Sequence, residues 1–222
     1  FQISGLFEPE IKAKLISNDE YYFLITSLVE SVDKYANTAS VYGAFLKKLK
    51  KTAQNNLILK PAELIINDQN HEVFNEDINE VAKKVKGDIL YLDPPYNHRQ
   101  YATNYHMLET IAKYDNPKIY GKTGLREYQN QKSPYCSRLQ VKKAFRDLIL
   151  KAKAKYIFLS YNNEGLMTLD DIKEIMRLRG KYGYFTKEYN RFKADKSENR
   201  NHKASKTVEY LHYLICRLDL IN

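Results

Sequence analysis

Residues 90 to 101 read LYLDPPYNHRQY, an apolar run that ends in an acid, two prolines and a tyrosine. Pro94 and Pro95 fix their own φ angles and donate no backbone hydrogen bond, and Pro94 restricts Asp93, so the chain leaves a strand stiffly. Backbone carbonyls and the Asp93 carboxylate then face a crevice, while Tyr96 offers a flat apolar surface. An exocyclic amine donates two N–H groups, which a carboxylate and a carbonyl can accept, and a base ring stacks on a tyrosine. The chemistry that follows is the holding of an amino-bearing base, with Asp93, Pro94, Pro95 and Tyr96 as the catalytic group. A rigid turn is the competing reading, although a given four-residue word arises by chance in a chain this long only about once in a thousand sequences.

Such a motif needs elements to aim it. Apolar spacing predicts a strand over 14–17 (KLIS), a helix over 21–35 and a second helix over 39–52 that carries lysines at 47, 48, 50 and 51. Further on it predicts a strand over 71–74, a helix over 78–85 and a strand over 88–92 that runs into the prolines. Helices over 105–114, 141–154 and 169–179 and a strand over 156–160 follow, with a polar loop over 116–135. The aromatic and branched stretches 183–192 and 207–217 flank a very polar segment and read as an antiparallel hairpin. Alternating strands and helices predict an α/β fold, a mainly parallel sheet covered on both faces, ending in that C-terminal antiparallel hairpin.

In such a sheet the ligand lies beyond the carboxyl ends of the strands. Asp19, Asp77 and Asp93 all fall at strand ends in this reading, where one carboxylate can grip ribose hydroxyls and another can accept from an amino group. Each of them taken alone is also an ordinary turn former or helix cap. Asn162 and Asn163 occupy a further strand tip and border the same crevice.

Composition narrows the classes. The chain has 222 residues, with 36 Lys and Arg against 27 Asp and Glu for a net charge of +9, a balance that favours polyanions such as nucleic acid. Its 19 tyrosines add faces on which bases stack. No apolar run approaches the roughly 18 residues of a membrane span, so no membrane partner is expected. Cys136 and Cys216 have no metal-ligand spacing and imply no disulfide framework, and a reduced, cytoplasmic setting is the expectation. No Pro, Gly or Ser-rich linker divides the chain, which predicts one domain over 1–222.

At the DPPY residues a resemblance becomes plain. The run DPPYNHRQYATNYHMLETIAKYD resembles the D12 class of adenine-N6 DNA methyltransferases of restriction-modification systems. KLISNDEYY at 14–22, SVYGAFLKKLKKTA at 40–53, FNEDINEVA at 74–82, YNRFKADK at 189–196 and KTVEYLHYLI at 206–215 are similar to further stretches of that class, so the likeness covers nearly all of the chain from residue 3.

The resemblance implies a Rossmann-like S-adenosylmethionine-dependent methyltransferase fold and transfer of a methyl group to N6 of a flipped-out adenine. It assigns the cofactor ribose to Asn18 and Asp19, the cofactor adenine to Asp77 and Ile78, and the methionyl amino group to Asp93. Asn97, Arg99, Gln100 and Tyr101 would line the DNA side of the pocket, and His98 and His106 stand close to the motif either as helpers or as packing residues. Lys122 and Arg126, in the loop 116–138 where cations alternate with tyrosines, and Lys193, in the hairpin tip 193–206, would contact DNA.

Double-stranded DNA and a cognate restriction endonuclease are the expected partners, the protein being a monomer or weak dimer. No metal is implied. The family's first strand and Gly-rich cofactor loop have no counterpart in the opening FQISGLF, and the resemblance places them upstream of it. RNA as the substrate and a catalytically silent DNA-binding subunit stay open as alternatives.

Overall fold

The structure, a computed structural model, describes residues 15–39, 41–44, 46–190 and 206–217. It divides into two compact units, Phe1–Asn70 with Gln100–Gln131, and His71–Arg99 with Lys132–Asn222.

The first unit is built around helix α1, Asn18–Tyr35. Ser17 and Glu20 form a capping box: the Ser17 hydroxyl accepts from the Glu20 N–H at 3.2 Å and the Glu20 carboxylate accepts from the Ser17 N–H at 2.7 Å. The Ser17 N–H and, at 2.9 Å, the Ser17 hydroxyl both donate to the Glu20 carboxylate and hold it below the usual carboxylate range. Ile25, Ser27, Leu28 and Ser31 are the buried residues of α1. Its two buried serines tether the segment that passes over it: Ala62 N–H donates to Ser27 Oγ at 2.8 Å and Lys60 N–H to Ser31 Oγ at 3.0 Å.

Also in this unit are a single turn, α3 (Tyr101–Asn104), and α4 (His106–Lys113), which ends at Tyr114 in the left-handed region. His106 is buried, its Nδ1 2.9 Å from the Thr103 carbonyl and its Nε2 2.7 Å from that of Thr123, so it is a packing residue that ties the loop to α4.

The second unit holds α2 (Ile78–Lys84), β1 (Lys86–Leu92), α5 (Val141–Lys151), β2 (Lys153–Asn162), α6 (Leu169–Arg177), β3 (Gly180–Asn190) and β4 (Lys206–Cys216). The strand order is β1-β2-β4-β3, with β1 and β2 parallel and the other two pairings antiparallel. Leu92 pairs in register with Leu159, so β1 and β2 end at the same side of the sheet.

Alternate residues of β2 (Ile157, Leu159 and Tyr161) are buried in one core with Val141, Phe145, Leu148 and Ile149 of α5, Ile172 and Met176 of α6, and Leu214 of β4. In β1 the same alternation turns Leu90 and Leu92 inward and leaves Ile89 and Tyr91 63% and 59% exposed. Asn79 joins α2 to α5, its carboxamide donating to the Ala144 carbonyl at 2.9 Å and to Asp147 at 3.0 Å.

Four expectations are corrected here. Leu15–Ser17 is not a strand, because reciprocal capping bonds turn Ser17 into the start of α1; Asn18 and Asp19 therefore sit in a first helical turn and not at a strand tip. Lys14 lies outside the described residues. Within 39–52 the described residues form turns in place of a helix: Asn37 Oδ1 accepts from the Lys50 N–H at 3.0 Å, and only Thr52–Gln54 makes a 3-10 turn. Residues 71–74 pair with no strand and leave Val73 95% exposed, so Asp77 is a helix cap and not a strand end. With those two strands gone, the sheet of the described residues is mixed, with one parallel pairing of three, and not mainly parallel.

Candidate active site at the end of strand β1

Strand β1 ends on the buried Leu92 and delivers Asp93 exposed, followed by Pro94 and Pro95 half-buried and Tyr96 44% exposed. The arm is braced from β2. The Tyr96 carbonyl accepts from the Leu166 N–H at 2.9 Å, and the Tyr161 hydroxyl, at the end of β2, gathers the N–H groups of Leu166 and Met167 at 3.1 and 3.3 Å. Gly165 permits this turn: a Cβ there would stand 2.1 Å from the Tyr161 ring. A strand tip, a tight turn and one tyrosine hydroxyl thus fix the backbone that follows the prolines.

Beside the arm is a cavity of about 320 Å³, within the size range of small-molecule sites. Tyr91, Leu92, Asp93, Pro94 and Pro95 line it from the end of β1 and the arm, together with Ile78, Ser133, Tyr135, Phe145 and Leu148. Tyr135 is 4% exposed and donates its hydroxyl to Asn79 Oδ1 at 2.9 Å. Burial pushes its phenol well above the usual tyrosine range, and the carboxylates of Asp77 and Asp147 add to the shift. The ring is therefore a neutral, fixed flat wall. Ser133 accepts from the Tyr135 N–H at 3.2 Å and caps the short turn Pro134–Cys136. A largely apolar slot with the Asp93 carboxylate in its lining suits a flat heteroaromatic ring with an amine at its edge.

Of the residues read from sequence, Asp93, Pro94, Pro95 and Ile78 line this one cavity. Asp77 stands one residue before Ile78 and caps α2, accepting from the Asn79 N–H at 2.8 Å. Asn97 accepts from the Arg99 N–H at 2.9 Å, and the Arg99 carbonyl accepts from Cys136 Sγ at 3.3 Å, while the Arg99 side chain is exposed.

Asn18, Asp19, Gln100, Tyr101, Lys122 and Arg126 belong to the other unit. There Asn18, Asp19 and Lys122 are exposed, and Tyr101 meets Tyr105 edge-on. Arg126 is engaged, its guanidinium forking onto both Asp115 carboxylate oxygens, and this pair holds Asp115 below the usual carboxylate range. Lys193 lies outside the described residues. Tyr91, Leu92, Ser133, Tyr135, Phe145 and Leu148 are the cavity residues that sequence reasoning missed as site residues. Phe145 and Leu148 do recur at i, i+3 on the predicted helix 141–154, but that spacing announces burial and not a neighbouring cavity.

Comparison with known sequences places the site in a class. The chain belongs to the D12 class of N6 adenine-specific DNA methyltransferases, whose family profile matches residues 7–175. It is similar to the type II methyltransferase M.NlaIII of Neisseria lactamica, 56% identical over 201 residues that cover 90% of this chain and 60% of that protein. Similar too are the type II methyltransferase M.FokI of Planomicrobium okeanokoites, 41% identical over 94% of this chain and 32% of that protein, and M.CviAII of Paramecium bursaria Chlorella virus 1, 38% identical over 90% and 58%. The chain thus spans three fifths or less of the length of these relatives. No solved structure matches it. No helix of the described residues is long and apolar enough to cross a membrane.

Proposed function

We propose that this chain carries the methyl-transferring part of a site-specific DNA adenine-N6 methyltransferase, taking its methyl group from S-adenosylmethionine and serving a restriction-modification system. The observation that carries the reading is the exposed Asp93-Pro94-Pro95-Tyr96 arm at the end of β1, braced through Leu166 and set beside an apolar cavity. The family match runs from residue 7 to residue 175, through stretches of both units, which supports a single methyltransferase domain. We read its fold as the Rossmann-like methyltransferase type with a C-terminal hairpin, and its setting as the cytoplasm. Duplex DNA and a cognate endonuclease are the proposed partners, and the protein acts as a monomer or weak dimer.

The cavity fits an adenosyl group: apart from the Asp93 carboxylate its lining is uncharged and largely apolar, and the buried Tyr135 ring forms a fixed flat wall. Ile78, next to the helix-capping Asp77, would lie against the cofactor adenine, and Asp93 would take its methionyl amino group. When bound, the cofactor supplies an electrophilic methyl on a sulfonium.

The chain's own residues prepare the nucleophile. Adenine must leave the duplex to be enclosed, at a cost of roughly a few kcal/mol. Tyr96 stacks on the extruded ring, while Asp93 and the Pro94 carbonyl accept from its amino group. Those bonds aim the nitrogen lone pair and stabilise the positive charge that grows on N6. Asn97, Arg99, Gln100 and Tyr101 line the DNA side, Lys122 and Lys193 meet phosphates, and Arg126, held by Asp115, orders the loop that carries Lys122.

Two results test this assignment. Ile78→Asp sets a second carboxylate against an apolar wall at a position 39% exposed, so titration calorimetry should show S-adenosylmethionine affinity falling at least about tenfold, some 1.4 kcal/mol, with the melting temperature nearly kept. Unchanged affinity would remove the cofactor from this cavity. Gly165→Ala drives a methyl group into the Tyr161 ring and so displaces the brace on Tyr96. Misplacement of about 1 Å costs up to roughly a hundredfold in rate, and we expect kcat to fall at least about tenfold while cofactor affinity holds. A kcat at the wild-type level would show that the brace does not position the arm.

A further inference from the structure

Between Asp33 and Glu63 the sequence has no acidic residue and six lysines, at 34, 47, 48, 50, 51 and 60. All six are exposed, and none of them pairs with a carboxylate among the described residues. Nothing in the mechanism above uses them.

The fold gathers the backbone that carries these lysines at the C-terminal end of helix α1. Lys34 stands in the last turn of α1. One turn earlier Ser31 Oγ accepts from the Lys60 N–H at 3.0 Å, and just past the helix Asn37 Oδ1 accepts from the Lys50 N–H at 3.0 Å. The 3-10 turn Thr52–Gln54, which follows the lysines of 47–51, packs against α1. A helix C-terminus carries only about half a negative charge, which six cations far exceed.

The lysine row is pinned. Besides the bond from its N–H to Asn37, Lys50 accepts at its carbonyl from the Ala53 N–H at 3.1 Å, and the Lys51 carbonyl accepts from the Gln54 N–H at 3.2 Å. Upstream, Tyr42 donates its hydroxyl to Asp33 at 2.8 Å and its N–H to the Asn104 carbonyl at 2.7 Å. Gly43 lies against the same corner, where a Cβ would stand 3.2 Å from the Thr103 carbonyl oxygen. Thr103 and Asn104 belong to α3, the turn that Gln100 and Tyr101 begin, and those two residues are assigned above to the DNA side of the pocket. The segment that leads into the lysine row is thus bonded to the turn that carries them.

The chemistry selects the partner. A lysine is a compact, strongly hydrated point charge that suits a phosphate and does not fork onto a base edge as arginine does. A duplex offers such anions at close, regular spacing, about one per 1.7 Å of its axis. We propose that Lys47, Lys48, Lys50 and Lys51, with Lys34 and Lys60 beside them, form a surface that holds the phosphate backbone of the DNA duplex. It supplies affinity and register and reads no sequence. The inference rests on DNA being the substrate.

The test is binding of the full-length protein to a short mixed-sequence duplex across a range of salt concentrations. Each phosphate contact adds about 0.9 to the slope of log affinity against log salt. The combined variant Lys47→Gln, Lys48→Gln, Lys50→Gln and Lys51→Gln should therefore show a slope shallower by about 2 to 4 and an affinity lower by at least about tenfold at low salt, alike for any duplex sequence. Its affinity for S-adenosylmethionine should hold. Lys86→Gln, Lys143→Gln and Lys181→Gln together remove charge from exposed positions of the other unit and serve as the control. An unchanged slope in the first variant, or as large a loss per lysine in the control, would overturn the proposal. So would binding lost to a single-stranded RNA and kept to the duplex. Protein that methylates adenine in DNA while the first variant keeps the wild-type slope refutes the surface alone, whereas protein that binds duplex through these lysines but transfers no methyl group refutes the proposed function alone.

Discussion

Replacing Asp93 with alanine is expected to lower methyl transfer to DNA by at least about a hundred- to a thousandfold, the loss that follows removal of one charge-stabilising partner at a reacting centre. The carboxylate is exposed at the end of β1, and β1 is anchored by Leu90 and Leu92 on the core side, not by Asp93. Stability should therefore change by no more than about 0.5 kcal/mol, as for surface substitutions generally. Asp93→Asn keeps an acceptor oxygen but loses the charge, so its residual rate separates amine positioning from charge stabilisation. Transfer kinetics beside denaturant unfolding check both halves; a well-folded Asp93→Ala protein with wild-type turnover would end the proposed role of this residue.

The second large effect falls on the fold. Phe145 is fully buried in α5, packs in the core shared with Ile157 and Leu159 of β2, and lines the cavity beside Asp93. Phe145→Ala removes that wall and leaves a void, and such truncations cost about 3–5 kcal/mol. Against a total stability of about 5–15 kcal/mol for a typical domain, denaturant unfolding should show a large drop in midpoint, and at low temperature the folded fraction should bind S-adenosylmethionine less tightly. A loss below about 1 kcal/mol would contradict the packing of α5 on β2 and with it the shape of the cavity.

The parts of the fold legible in the sequence are those where one periodicity dominates. Helices α1, α5 and α6 bury residues at three- and four-residue spacing, and β2 alternates cleanly, so their existence follows from pattern alone even though their ends shift by a few residues. The strand that carries Asp93 is legible for the same reason, and the prolines mark where it must stop.

What failed is local competition. KLIS has strand-like content, but Ser17 and Glu20 exchange two hydrogen bonds that a strand cannot match, and the capping signature S-x-x-E was there to be read. In 39–52 the side chains of Asn37 and Thr38 bond to backbone at Lys50 and Val41, an alternative to helix that periodicity does not register. Residues 71–74 lacked a partner strand, and pairing is not written in four residues. The cavity wall was the hardest part to see, since Tyr135 is brought to Asp93 by tertiary packing across some forty residues of chain; beside the loop cations it read as a base-stacking tyrosine, not as a buried ring tied to Asn79.

The most direct test of the central claim is to incubate the full-length protein with duplex DNA of mixed sequence and S-adenosylmethionine labelled in its methyl group, then digest the DNA and identify the labelled nucleoside by mass. The account predicts N6-methyladenine as the labelled product, lost in Asp93→Ala. Label on the N4 amine of cytosine, label appearing only when RNA replaces DNA, or DNA binding with no transfer at all would contradict it.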